Sequence, residues 1–131
     1  MTANWIKPLF IVAALYDLIL GLGALLFFKP AYNWLDITLP NHDGYVQWGA
    51  AVVAVFGIGF WLVAQAPARN RDIIKMGVLF KLAYATTVLG HFFFGSIPMV
   101  WVPFAWLDLV FLVLFIATLR SLPASPSAQP A

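Results

Sequence analysis

The segment Pro8–Phe28 reads PLFIVAALYDLILGLGALLFF, an unbroken apolar run whose one charge, Asp17, falls near its middle. At 1.5 Å per residue a helix of this length crosses a hydrocarbon core about 30 Å thick. A lone Asp at the centre of such a helix costs roughly 2.5–3.5 kcal/mol on insertion scales. A span of this kind is tolerated when the carboxylate faces other polar groups inside a bundle. Three further runs have the same length and character: Tyr45–Gln65, Asp72–Gly95 and Val100–Leu119. The third carries Lys81 and the fourth carries Asp108, again in mid-run. The expected fold is therefore all-α, an integral membrane antiparallel four-helix bundle. One transmembrane domain covers residues 1–120, and residues 121–131, rich in Ser, Pro and Ala, form a disordered tail that buries little apolar surface. The first run does not read as a cleaved leader. It is too long, holds an Asp at its centre, and lacks a small-x-small cleavage site followed by a soluble domain.

Composition agrees. Of 131 residues, 63% are hydrophobic and 9% are charged, whereas soluble domains carry about 25% charged residues. The mean hydropathy is +0.93. Too little polar surface exists to cover a globule in water, so the lipid bilayer is the expected surrounding. Six Trp and twelve Phe suit interfacial belts and lipid-facing packing. The absence of Cys excludes disulfides, thiolate metal sites and cysteine nucleophiles. A net charge of +2 without any basic run argues against nucleic acid as a partner.

Lys7, Arg69, Arg71, Lys75 and Arg120 fall on one side of the four spans, and Lys29 alone falls on the other, beside Asp36, His42 and Asp43. The positive-inside rule then places both termini and the Ala66–Arg71 link in the cytoplasm of a cell whose inner membrane the protein crosses several times. The Lys29–Gly44 loop is expected outside, resting on the interface through Tyr32, Trp34 and Pro40, with a tight external turn at Ser96–Pro98.

Orientation gives depth. Asp17 lies ten residues past Lys7, Lys81 ten past Arg71, and Asp108 twelve before Arg120, or roughly 15, 15 and 18 Å from the same side. In a bundle with short links these groups reach a common axis, with Lys81 between the two carboxylates. One reading is a clasp that fixes helix register. The other is a ligand site or proton path. Two Asp and one Lys leave one negative charge in excess, so either a carboxyl retains a proton, the expected state, or a cation or donor ligand completes the site.

Neighbouring stripes extend the polar core. On the third span Lys81, Tyr84, Val88, His91 and Gly95 step by three or four residues. Asp17, Gly21, Ala24 and Phe28 do so on the first, beside Tyr16; Trp101, Phe104 or Ala105, Asp108 and Phe115 do so on the fourth. Small residues facing aromatic ones leave either a narrow cavity leading outward from the charges or ordinary close packing. The expected ligand- or proton-binding residues are Asp17, Lys81, Asp108, Tyr84, His91 and Tyr16. No catalytic residue is expected, since no GxSxG, HExxH, Walker loop or CxxC occurs. Haem and metal are not expected either, because His91 has only His42 as a possible partner. A Tyr and a His on an apolar face suit a quinone carbonyl. Gly21-Leu22-Gly23 and Gly57-Ile58-Gly59 lie inside apolar spans, where they allow close helix approach or bending. Pro103 falls in the first turn of the fourth span, where proline is tolerated.

In size, in its four spans with short links, and in the stretches Tyr16-Asp17-Leu-Ile-Leu-Gly21 and Lys81-Leu-Ala-Tyr84, the chain resembles the small bacterial DoxX-like four-span membrane proteins. That resemblance implies a link to quinone-coupled oxidoreductases and carries over no functional residue. Three functions follow as expectations: a non-catalytic accessory subunit or minimal carrier that binds a small ligand or proton, an oxidoreductase component that binds quinone, and a purely structural assembly factor. A homo-oligomer or a larger membrane complex is compatible with each.

Overall fold

The computed structural model describes residues 3–123, and every regular element among them is helical. Four helices carry the fold: α1 (Ile6–Trp34), α2 (Asp43–Gln65), α3 (Arg71–Phe94) and α4 (Trp101–Ser121). Each is long and apolar enough to cross a membrane, which marks the chain as a multi-pass membrane protein. Side chains such as Ile19, Leu26, Val55, Ile58, Leu79 and Val113 point outward, where a bilayer receives them.

Side chains satisfy backbone groups at three helix ends. The His42 ring accepts from the Gly44 N–H at 2.9 Å, opening α2. At its far end the Asn70 amide donates to the carbonyls of Leu62 and Ala66, both at 3.0 Å, from a short 3-10 turn (Ala68–Asn70). The Arg71 guanidinium donates to the carbonyls of Leu119 and Pro123, each at 3.2 Å, and so ties the start of α3 to the last turn of α4.

α1 departs from expectation. The first span was to end at Phe28, with Lys29–Gly44 as a loop, yet helical structure continues to Trp34 across a bend at Phe27 (φ −132°, ψ 19°). The cause is Pro30. It has no N–H to give to the carbonyl four residues earlier, so the ladder breaks there, while its fixed φ suits the first turn of the helical segment that follows. That segment closes with the Ile37 N–H bonded to the Tyr32 carbonyl (2.8 Å) and the Asp36 N–H to that of Asn33 (3.3 Å). Asp36 takes the left-handed conformation (φ 57°) that such a stop requires. The far end differs as well. α4 runs through Ser121 and Leu122 is buried in the core, so packed chain extends past the expected start of the tail; residues 124–131 of that tail lie outside the described residues.

Backbones approach closely along α1 and α2, and along α3 and α4, whereas contact across the two pairs relies on long side chains. Gly21 and Gly57 explain the first pairing. A Cβ at Gly21 would lie 2.5 Å from the Ala54 nitrogen and 2.8 Å from the Ala50 oxygen; one at Gly57 would lie 2.8 Å from the Leu18 nitrogen. Gly23 has open space around it. Small residues here let the backbones touch, as is common in membrane bundles.

The main core fills one half of the molecule. Ile6, Phe10, Phe60, Val63, Ile74 and Phe115 are its principal members. Phe10 stacks on Phe115 with ring centres 4.6 Å apart, and Phe60 meets Phe115 edge-on at 5.0 Å. Val88, Val102 and Ala105 form a smaller cluster towards the other end of α3 and α4.

Gly21→Ala is expected to destabilise the protein by about 1–3 kcal/mol through overpacking, read as a lower unfolding temperature in detergent. Gly23→Ala, with nothing in its way, is expected to leave that temperature unchanged or raise it slightly.

Candidate functional site

Asp17, Lys81 and Asp108 meet between the helix pairs. Their relative exposures are 2%, 1% and 5%, so all three are buried inside the bundle. The Lys81 ammonium donates to Asp17 Oδ1 at 3.0 Å and Oδ2 at 3.2 Å, and to Asp108 Oδ1 at 3.1 Å. An ammonium has three hydrogens, and three carboxylate oxygens take them. Around the same nitrogen stand the rings of Tyr16 and Phe111, each with its centre 5.1 Å away, and those of Phe60 and Phe80 at 5.7 and 5.8 Å. Aromatic faces attract a cation most where water is excluded. Lys81 is thus boxed by rings and bridged by carboxylates, with α1 joined to both α3 and α4 through it.

The two sides of this triad are unlike. Towards Ile6 and Leu122 the aromatic plug of Phe10, Phe60, Phe111 and Phe115 closes the bundle, so tightly that a Cβ at Gly77 would lie 2.6 Å from the Phe60 ring. Towards Tyr45 and Trp101 the helices part around a cavity of about 380 Å³. Asp17, Asp108 and Tyr16 form its deep end, Gly21, Ala24 and Ala50 leave it room, and Tyr84, Trp101 and Phe104 form much of its wall. Both alternatives raised by the small residues are therefore realised: Gly21 lets α1 touch α2, and the space continues past it.

Two tyrosines behave differently at the triad's edge. Tyr84 donates its hydroxyl to the Trp101 carbonyl at 3.1 Å, which leaves that carbonyl partnered at the start of α4. The Tyr16 hydroxyl is buried and, among the described residues, makes no hydrogen bond.

Of the six residues singled out from the sequence, the structure brings five to one place: Asp17, Lys81 and Asp108 as an ion network, Tyr16 and Tyr84 at the cavity. His91 is not brought there. It lies ten residues past Lys81, about 15 Å along α3, with an exposed side chain in a shallow groove beside Thr86, Thr87 and Phe94. Ten residues at 100° each also leave it about 80° off the Lys81 direction, so the three-and-four stripe has drifted off the inner face.

Tyr32 and Tyr45 line the cavity too, and neither is among the residues the sequence singles out for it. Tyr32 was expected at the interface in a loop. The continuation of α1 past Phe27 instead turns it inward, where its ring meets Trp101 edge-on with centres 5.9 Å apart. The signal existed: adding four to Phe28 extends the stripe Asp17, Gly21, Ala24, Phe28 to Tyr32. Phe60 and Phe111 around Lys81 carried no mark beyond ordinary apolar character.

The chain matches no protein-family model, no curated protein and no solved structure. Two carboxylates bridged by one ammonium hold charge and position hydrogen-bond partners. Opposite the triad, Lys29 bridges to Asp43 at 2.8 Å, half exposed, and links the ends of α1 and α2 near the wide end of the cavity.

Lys81→Met is expected to cost about 3–5 kcal/mol, since it leaves two buried carboxylates without their cation. The same change combined with Asp17→Asn and Asp108→Asn is expected to recover much of that loss. Thermal unfolding of the wild type and these two variants in lipid nanodiscs checks both expectations.

Proposed function

We propose that this protein is a small multi-pass protein of the bacterial inner membrane whose Asp17–Lys81–Asp108 core binds a small ligand or a proton, and that it serves as an accessory subunit or minimal carrier. The observation that carries this reading is the cavity that ends on the triad. A clasp needs only packed surroundings, whereas here one side of the ion network is hollow and two of its three members border the hollow. Intramembrane charges bordering an open space are the usual mark of a substrate or proton path.

The same reading takes the four spans as an antiparallel bundle with both termini in the cytoplasm. Its support is the pairing of contacts. Gly21 adjoins Ala54 while Gly57 adjoins Leu18, so advance along α1 matches retreat along α2. Arg71 at the start of α3 likewise reaches Leu119 at the end of α4. With Lys7, Arg69, Arg71, Lys75 and Arg120 on the cytoplasmic side, the aromatic plug faces the cytoplasm and the cavity faces outward. The DoxX-like resemblance fits this architecture.

A second reading, a quinone held in the same cavity as part of an oxidoreductase, draws on one observation: the Tyr16 hydroxyl has a hydrogen to give and no acceptor. One such donor serves one quinone carbonyl. The excess negative charge beside it has no role in that reading.

In bilayers, infrared spectra are expected to show a carboxylic-acid carbonyl band at low pH that disappears as pH rises. Asp108→Asn, which keeps the Lys81–Asp17 pair and cancels the excess charge, is expected to fold and to lack that band. A clasp with three permanently charged members and no ligand would show no titrating carboxyl in the wild-type protein.

A further inference from the structure

We propose that the cavity takes a monovalent organic cation, an alkyl- or arylammonium whose charged end seats at Asp108 and whose apolar body lies along the aromatic walls. The proposal rests on the reading of this cavity as a ligand site and names the class of ligand.

The inference comes from what the triad has left to offer. All three ammonium hydrogens of Lys81 are engaged by Asp17 and Asp108, so the one cation at the site has no donor for an incoming anion or carbonyl. Asp108 differs: Oδ1 accepts from Lys81, Oδ2 makes no hydrogen bond among the described residues, and its carboxylate borders the cavity. The deep end therefore presents an unpartnered acceptor and one negative charge in excess. A group that brings one positive charge and N–H or polarised C–H donors satisfies both.

The walls select in the same direction. Tyr45, Tyr84, Trp101 and Phe104 surround the space, and no Lys, Arg or His side chain borders it among the described residues. Aromatic rings stabilise quaternary and primary ammonium groups through their faces, most strongly where water is excluded. A bare metal cation is poorly served here. Hard cations take six or more oxygen ligands, while this cavity is mainly apolar and three of the four carboxylate oxygens at its end are already held by Lys81. The volume of about 380 Å³ suits a compact organic molecule, near the lower end of small-ligand sites.

Gly49 supplies an independent handle. It borders the cavity from α2, four residues from both Tyr45 and Val53, and a Cβ there meets nothing within 4 Å, so this edge of the cavity has room for a larger side chain.

The test is calorimetric titration of the full chain in lipid nanodiscs, with empty nanodiscs subtracted. The probes are benzyltrimethylammonium, its uncharged isostere neopentylbenzene, and the quinone menadione. Saturable binding of benzyltrimethylammonium is expected, at least tenfold tighter than neopentylbenzene. Asp108→Asn and Gly49→Leu, which act on charge and on space separately, are each expected to weaken it at least tenfold. Equal or tighter binding of neopentylbenzene or menadione, abolished by Gly49→Leu, overturns the cation proposal and leaves the cavity as a ligand site. Failure of all three probes to bind the wild-type protein also overturns the proposal, and the infrared titration of the carboxyls then decides separately whether the site holds a proton. Benzyltrimethylammonium binding that is unchanged in both variants places the cation elsewhere and overturns the proposal as well.

Discussion

Lys81 held between Asp17 and Asp108 is the interaction from which the rest of the architecture follows. Within each helix pair, glycines and small residues bring backbones together. Between pairs, close backbone approach is scarce, and the Lys81 ammonium links them by its 3.0 Å contact to Asp17 on α1, while its 3.1 Å contact to Asp108 lies within the α3–α4 pair. Each of these groups alone would cost roughly 2.5–3.5 kcal/mol at the centre of a span. Together they offset most of that cost while fixing which faces of α1, α3 and α4 turn inward. A buried ion network adds little net stability over a well-packed apolar core. It joins α1, α3 and α4, and it puts charge where apolar residues would put none.

That charge sits at a boundary between two kinds of interior. On one side Phe10, Phe60, Phe111 and Phe115 interlock with ring centres from 4.6 to 6.1 Å, and a methyl group at Gly77 has no room. On the other the bend at Phe27 carries the end of α1 across the bundle, so that Tyr32 leans on Trp101 and the helices part around an open cavity. The triad is the floor of the cavity and the lid of the plug.

Much of this was legible in the sequence because charge in an apolar run is rare and its depth is countable. Asp17, Lys81 and Asp108 could be placed at one level from their separation from Lys7, Arg71 and Arg120, and the spans from the length of apolar runs. Less legible was anything set by backbone irregularity. Pro30 signals a break, and the step from Phe28 to Tyr32 reads as a continued stripe only once helix is taken to resume beyond it. The stripe through His91 failed because steps of three and four drift round a 3.6-residue helix, and the error grows with distance from Lys81. The aromatic box around Lys81 was hidden for another reason: Phe60 and Phe111 look like any lipid-facing phenylalanine until the partner helices are in place.

The most direct test of the account is a dipolar-coupling measurement by solid-state NMR in lipid bilayers, between the ¹⁵N-labelled side-chain nitrogen of Lys81 and the ¹³C-labelled carboxyl carbons of Asp17 and Asp108. Strong coupling of the one nitrogen to both carboxyl carbons, with the Asp17 coupling lost in Asp17→Asn and the Asp108 coupling retained, is the predicted result. Absence of coupling to either carboxyl would mean that the charges do not meet, and neither the cavity floor nor the proposed ligand site would then exist as described.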